Sequence, residues 1–142
     1  VANAAYDAFK QGLLNAEYDL NTAVIKVALV RGYTFSAAHA TMADVTAAGG
    51  VINGTSAALT SPTITGGVFD AADTTITTTN NNANHYLVVY QASAVGGGAD
   101  VAAASQKLIA YFDTGTGLPI VPGTGVATIT WSNTASRIIK VG

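Results

Sequence analysis

The chain has 142 residues, with 6 basic and 8 acidic side chains, no cysteine and 49% hydrophobic residues. Charged residues make up 10% of it, against about 25% in an ordinary soluble domain. The missing cysteines exclude disulfides, zinc-thiolate sites and thiol nucleophiles. The few scattered cations exclude a phosphate-neutralising patch, so no nucleic-acid partner is expected.

This length suits one domain with a true hydrophobic core. The longest strongly apolar stretch, AVIKVALV, contains Lys26. A membrane-spanning helix needs about 20 apolar residues, so no membrane partner is expected. No basic region followed by an apolar run opens the sequence, so a secretory leader is not expected either. Thr, Ser, Asn, Gly and Ala stand where charge usually does. Such a surface has little long-range field to repel its own copies, which suits permanent assembly.

Residues 3–15 predict a helix. Asn3 is placed to cap it, Tyr6, Phe9 and Leu13 form one apolar stripe, and Asn15 suits its end. Gly12 weakens it by roughly 1 kcal/mol relative to Ala. So short a helix must dock on its own sheet or on a neighbouring subunit. Residues 22–30 alternate as a strand, with Ile25, Val27 and Leu29 on one face. In YTFSAAHATMADV, residues 33–45, Ser36 is placed to cap a second, short helix. Its shared face is Ala38, Met42 and Val45.

The stretch from Ala47 to Phe69 reads as hairpin-like pieces broken at Gly49-Gly50, Asn53-Gly54, Pro62 and Gly66-Gly67. DTTITTT, 73–79, is a threonine strand and NNNAN, 80–84, a turn. Residues 85–93 and 107–112 are apolar on both faces, as central strands covered on both sides are. The small-residue segment near 94–106 reads as a flexible, protruding loop. Residues 125–132 and 137–141 are the last strands. The expected fold is mainly β (α+β): an antiparallel β-sandwich of about eight short strands with an N-terminal helix and a short second helix.

No catalytic constellation emerges. The glycine-rich stretch YFDTGTGLPIVPGTG has no lysine after its glycines, and a strand pattern follows it, so it is no phosphate loop. It reads as a connection between two strands, with Leu118 and Ile120 placed to lie against the sheet or a partner. His39 and Asp44 are not spaced to share a helix face, and His85 has no second ligand at helical spacing. Structural roles are expected for both histidines. Asp70 and Asp73 fit no calcium loop, and turn chemistry explains them equally well. Asn53-Gly54-Thr55 is a formal glycosylation sequon, but Asn-Gly is also the commonest hairpin turn signal, which is the reading preferred. Tyr86, Tyr90, Tyr111, Phe112 and Trp131 fall in apolar strands and are expected in the core rather than on a carbohydrate-binding shelf. No catalytic residue, cofactor or metal is expected.

Five stretches taken in order bear a family likeness: ANAAYDAFKQGLLN, IKVALV, YTFSAAHATMADV, LIAYFDTGTGLPIVPGTG and ITWSN followed by RIIKV. Together they resemble a family of small structural proteins of tailed bacteriophages. The pairing of IKVALV with YTFSAAH and the TGLP turn are the specific parts. The resemblance implies a virion component rather than an enzyme. Within that family the expected role is a head decoration, or cement, protein. It would be made in the bacterial host cytoplasm and sit on the capsid surface of the virion. Its expected partners are the major capsid protein and further copies of itself, as a homotrimer. Tyr6, Phe9, Leu13, Leu118 and Ile120 are the candidate interface residues. A tail- or fibre-associated protein and a receptor- or carbohydrate-binding module are the alternatives.

Overall fold

A computed structural model describes residues 3–123, 125–133 and 137–141. It is mainly β, with antiparallel sheets and two short helices. The central sheet has five strands: β1 (Ala4–Ala5), β2 (Ile25–Arg31), β3 (Val51–Thr55), β7 (Tyr86–Gln91) and β10 (Lys107–Phe112). Their order is β1-β10-β7-β2-β3, and every neighbouring pair is antiparallel. Three smaller sheets complete the β structure. β6 (Thr74–Thr78) pairs with β11 (Gly125–Ile129). β4 (Thr63–Thr65), β5 (Val68–Asp70) and β12 (Ile139–Lys140) form a three-stranded sheet. β8 (Ser93–Ala94) and β9 (Gly97–Asp100) form a hairpin.

The doubly apolar strands are central because both faces of the five-stranded sheet are covered. On one face, Ile25, Val27 and Leu29 of β2 meet Leu87 and Val89 of β7 and Ile109 of β10. Phe69, Ile76, Ile129, Trp131 and Ile138 close this cluster from the smaller sheets and the chain around them. That is the expected sandwich. On the other face, Ala28, Val30, Val88, Tyr90 and Leu108 pack with Tyr6, Met42 and Val45, and Tyr33 and Phe35 complete the cover. Burying each of these large side chains contributes about 1.5–3 kcal/mol.

The first helix, α1 (Asp7–Leu14), is shorter than the predicted span of 3–15. Residues Ala4–Ala5 instead extend the sheet as β1, against Tyr111 and Ala110. Asn3 caps no helix. Its side chain accepts from Asp113 N–H and Thr114 N–H, both at 2.9 Å, and donates to the Thr114 carbonyl at 2.8 Å, pinning the start of the next loop. Gly12, read as a weakness in the helix, admits the Tyr18 ring: a Cβ there would overlap it. Close packing of helix on ring outweighs the propensity cost.

The second helix, α2 (Met42–Ala47), begins later than Ser36. Thr41 occupies its cap position. The Asp44 carboxylate reaches back to accept from Thr41 N–H at 2.9 Å and Ala40 N–H at 2.8 Å. This is a capping box, in which a side chain three residues in satisfies backbone groups at the helix start. Ser36 accepts from Ala38 N–H within a turn.

Asn53-Gly54 lies inside β3, not at a hairpin turn. Gly54 is required there because a Cβ would run into the Thr77 carbonyl of β6. Gly66-Gly67 does make the expected turn, between β4 and β5, with φ of 59° and 76°. The segment near 94–106 is not a plain loop: it holds the β8–β9 hairpin and a 3-10 turn, Ala103–Ser105. Lys26 ties it down by an ion pair with Asp100.

Candidate interaction surface

The five candidate interface residues separate into two groups. Tyr6 and Phe9 are 0% and 1% exposed, buried in the chain's own two clusters, so neither is free to meet another subunit. The short helix docks on its own sheet, which satisfies its apolar stripe internally. Tyr6 precedes the helix and points to the opposite side of the sheet from Phe9. Its hydroxyl lies 3.2 Å from that of Tyr33, which lies 2.7 Å from His39 Nδ1. Burial pushes the Tyr6 hydroxyl far above the ordinary tyrosine range. Leu13, Leu118 and Ile120 stay half-buried at the surface.

These three line two depressions. The first, about 310 Å³, is bounded by Phe9, Leu13 and Leu20 on the helix side and by Ile64, Phe69 and Val141 on the three-stranded sheet. Its wall is almost wholly apolar, and Ile64 and Val141 are themselves exposed. Leu14, the next residue after Leu13, is 90% exposed. The second depression, about 520 Å³, lies where the 113–120 loop faces β11. Leu118, Ile120, Phe112 and Trp131 supply its apolar part and Thr114, Thr116, Thr128 and Thr130 its polar part.

The glycine-rich stretch is therefore a connection, as expected. It runs on from β10 towards β11 and is tied to the end of β7 through His85. His85 N–H donates to the Ile120 carbonyl at 3.0 Å, and Ile120 N–H donates to the His85 carbonyl at 2.8 Å. The aromatic residues lie in or against the core. Trp131 is 8% exposed, 6.3 Å from Phe112 between ring centroids, so it offers no open stacking shelf.

Asp70 pairs with Arg137 at 2.7 Å, and Asp73 accepts from the Trp131 backbone N–H at 2.9 Å. Both are occupied by structural work. Asn53, the sequon residue, is buried. Its side chain accepts from Thr79 N–H at 3.1 Å and donates to the Asn80 carbonyl at 3.1 Å, which locks the asparagine-rich turn to β3. No group of three or more His, Asp or Glu side chains is placed to hold a metal ion among the described residues. None of the helices among them is long and apolar enough to cross a membrane.

One polar feature escaped the sequence reading. His85 is fully buried, with its ring beside the Asn82 and Ile120 backbone but outside good hydrogen-bond geometry to either. Burial, together with the nearby Arg31 charge, holds its pKa below the ordinary histidine range. Arg31 Nε is likewise buried without a partner. The register of β2 against β7 carries this information, but that pairing is a long-range fact that no local pattern encodes. No family model, curated protein or solved structure matches the chain.

Proposed function

We propose that this protein is a structural component of a tailed-bacteriophage virion. In this reading it is a decoration, or cement, protein on the capsid exterior that self-associates as a homotrimer and bridges major capsid subunits. The observation that carries the reading is the pair of depressions, one apolar and one mixed apolar and threonine-lined, that Leu13, Leu118 and Ile120 line on a nearly uncharged surface. Exposed Leu14, Ile64, Val121, Val126 and Val141 add apolar area around them. Water gains by having such area covered, and low charge removes the repulsion that would oppose close packing of copies.

Area permits several partners at once. The folded chain exposes 6828 Å², and a stable interface takes about 800 Å² from each side. Weak contacts made together hold far more firmly than any one alone. The resemblance to phage structural proteins supplies the identity of the shell. The test is to strip the protein from purified heads and challenge them with heat and osmotic shock. Stripped heads are expected to rupture earlier and to recover when the protein is added back. Unchanged head stability would count against the reading.

A further inference from the structure

Four cations have carboxylate partners: Lys10 with Asp7, Lys26 with Asp100, Lys107 with Glu17, and Arg137 with Asp70. Arg31 and Lys140 have none among the described residues. Lys140 is exposed, and water serves it well. Arg31 is different. It is half-buried, and its Nε is buried with no protein acceptor among the described residues.

Its position follows from the strand register. Arg31 stands opposite Val51 of the edge strand β3. On its other side, one step beyond the Val30–Tyr86 pair, it stands opposite His85. His85 in turn faces Ile120. Residues directly opposite in antiparallel strands project to the same face. Val51, Arg31, His85 and Ile120 thus form one row across the end of the five-stranded sheet. Val51 and Val121, next to Ile120, are 46% and 65% exposed. The row is a cation among apolar side chains and a buried histidine, with the Arg31 Nε buried and lacking an acceptor among the described residues.

We infer that Arg31 is a receptor for a carboxylate from a protein partner, an aspartate or glutamate side chain that docks at this end of the five-stranded sheet. A guanidinium already part-stripped of water loses little more on binding, and a carboxylate takes two of its N–H groups in parallel. The apolar residues flanking it give a protein-borne carboxylate further area to cover, so it binds more firmly there than a free carboxylate, which makes the guanidinium contact alone. Phosphate is the poorer fit: it calls for several cations or a nest of backbone N–H groups, and Arg31 stands alone beside a neutral histidine. Within the head-surface reading the carboxylate belongs to the shell subunit, and that assignment of the partner rests on that reading.

The test has two arms. In the first, the His85 ring is followed by nitrogen-15 NMR through a pH titration, in sodium acetate and in sodium chloride at equal ionic strength. A carboxylate on Arg31 stabilises the charged imidazole, so acetate is expected to raise the His85 titration midpoint and chloride is not. Arg31→Gln is expected to abolish the difference. Equal response to both salts, or none, overturns the site. In the second arm, stripped heads are titrated with wild-type and R31Q protein. R31Q is expected to bind about tenfold more weakly, with less dependence on salt. Equal binding by both proteins overturns the inference. Failure of both proteins to bind heads, with the acetate response intact, overturns the head-surface reading and leaves the carboxylate site standing.

Discussion

The middle of the five-stranded sheet and the end where the 113–123 loop crosses it are built differently. In the middle, β10, β7 and β2 are covered on both faces, and their buried polar groups have partners. Gln91 donates to the Glu17 carbonyl at 3.2 Å, and the Tyr18 hydroxyl donates to the Leu108 carbonyl at 2.7 Å. At the loop end, Arg31 Nε and Trp131 Nε1 are buried and have none among the described residues. The mixed apolar and threonine-lined depression and exposed valines adjoin them. Buried polar groups without partners cost roughly 1–3 kcal/mol each. The middle therefore holds the molecule together, and the end carries the surface that the proposed function assigns to partners.

The largest expected effect is in the middle. Leu29→Ala removes a fully buried side chain between the two layers, and about 3 kcal/mol of stability should be lost in urea unfolding. A loss under 1 kcal/mol would mean the middle is not the tight region described. Gly54→Ala is next. With a Cβ forced into the Thr77 carbonyl, the strand must shift, and thermal unfolding should register a loss of about 2 kcal/mol.

Acid separates the two regions directly. His85 is held below its ordinary pKa, chiefly by burial. The unfolded chain then takes up a proton before the folded one does. The full contribution of neutral His85 is present above about pH 6.5 and falls away as pH drops towards the folded value. His85→Phe should flatten this part of the pH–stability curve, and an unchanged curve would refute the placement of His85. Asp44→Ala removes the cap of α2 and should cost about 1 kcal/mol, read by chemical unfolding. Smallest in stability is Leu14→Asp. The side chain is 90% exposed, so unfolding should move by under about 0.5 kcal/mol, while self-association measured by sedimentation weakens.

Much of the fold was legible because it is written in local patterns. The alternation in 22–30, the double apolar faces of 85–93 and 107–112, and the Gly66-Gly67 turn all depend on neighbours in sequence. What escaped depends on distant residues. Asn53-Gly54 has the chemistry of a turn, yet the approach of β6 places it in a strand. Tyr6 and Phe9 have helical spacing, yet β1 pairing stops the helix short of Tyr6 and sends the two rings to opposite faces. The start of α2 was readable: Thr41 and Asp44 have capping-box spacing, and Ser36 drew the reading away from them. Leu13, Leu118 and Ile120 were visible as apolar residues in exposed settings. Arg31 and His85 were not visible as a pair, because only the register brings them side by side.

The most direct measurement is the number of copies in each purified virion, taken by quantitative mass spectrometry against the major capsid protein. Coverage of the head requires hundreds of copies in fixed proportion to the shell subunit. A few dozen copies or fewer, or none at all, would contradict a cement protein and place the chain elsewhere.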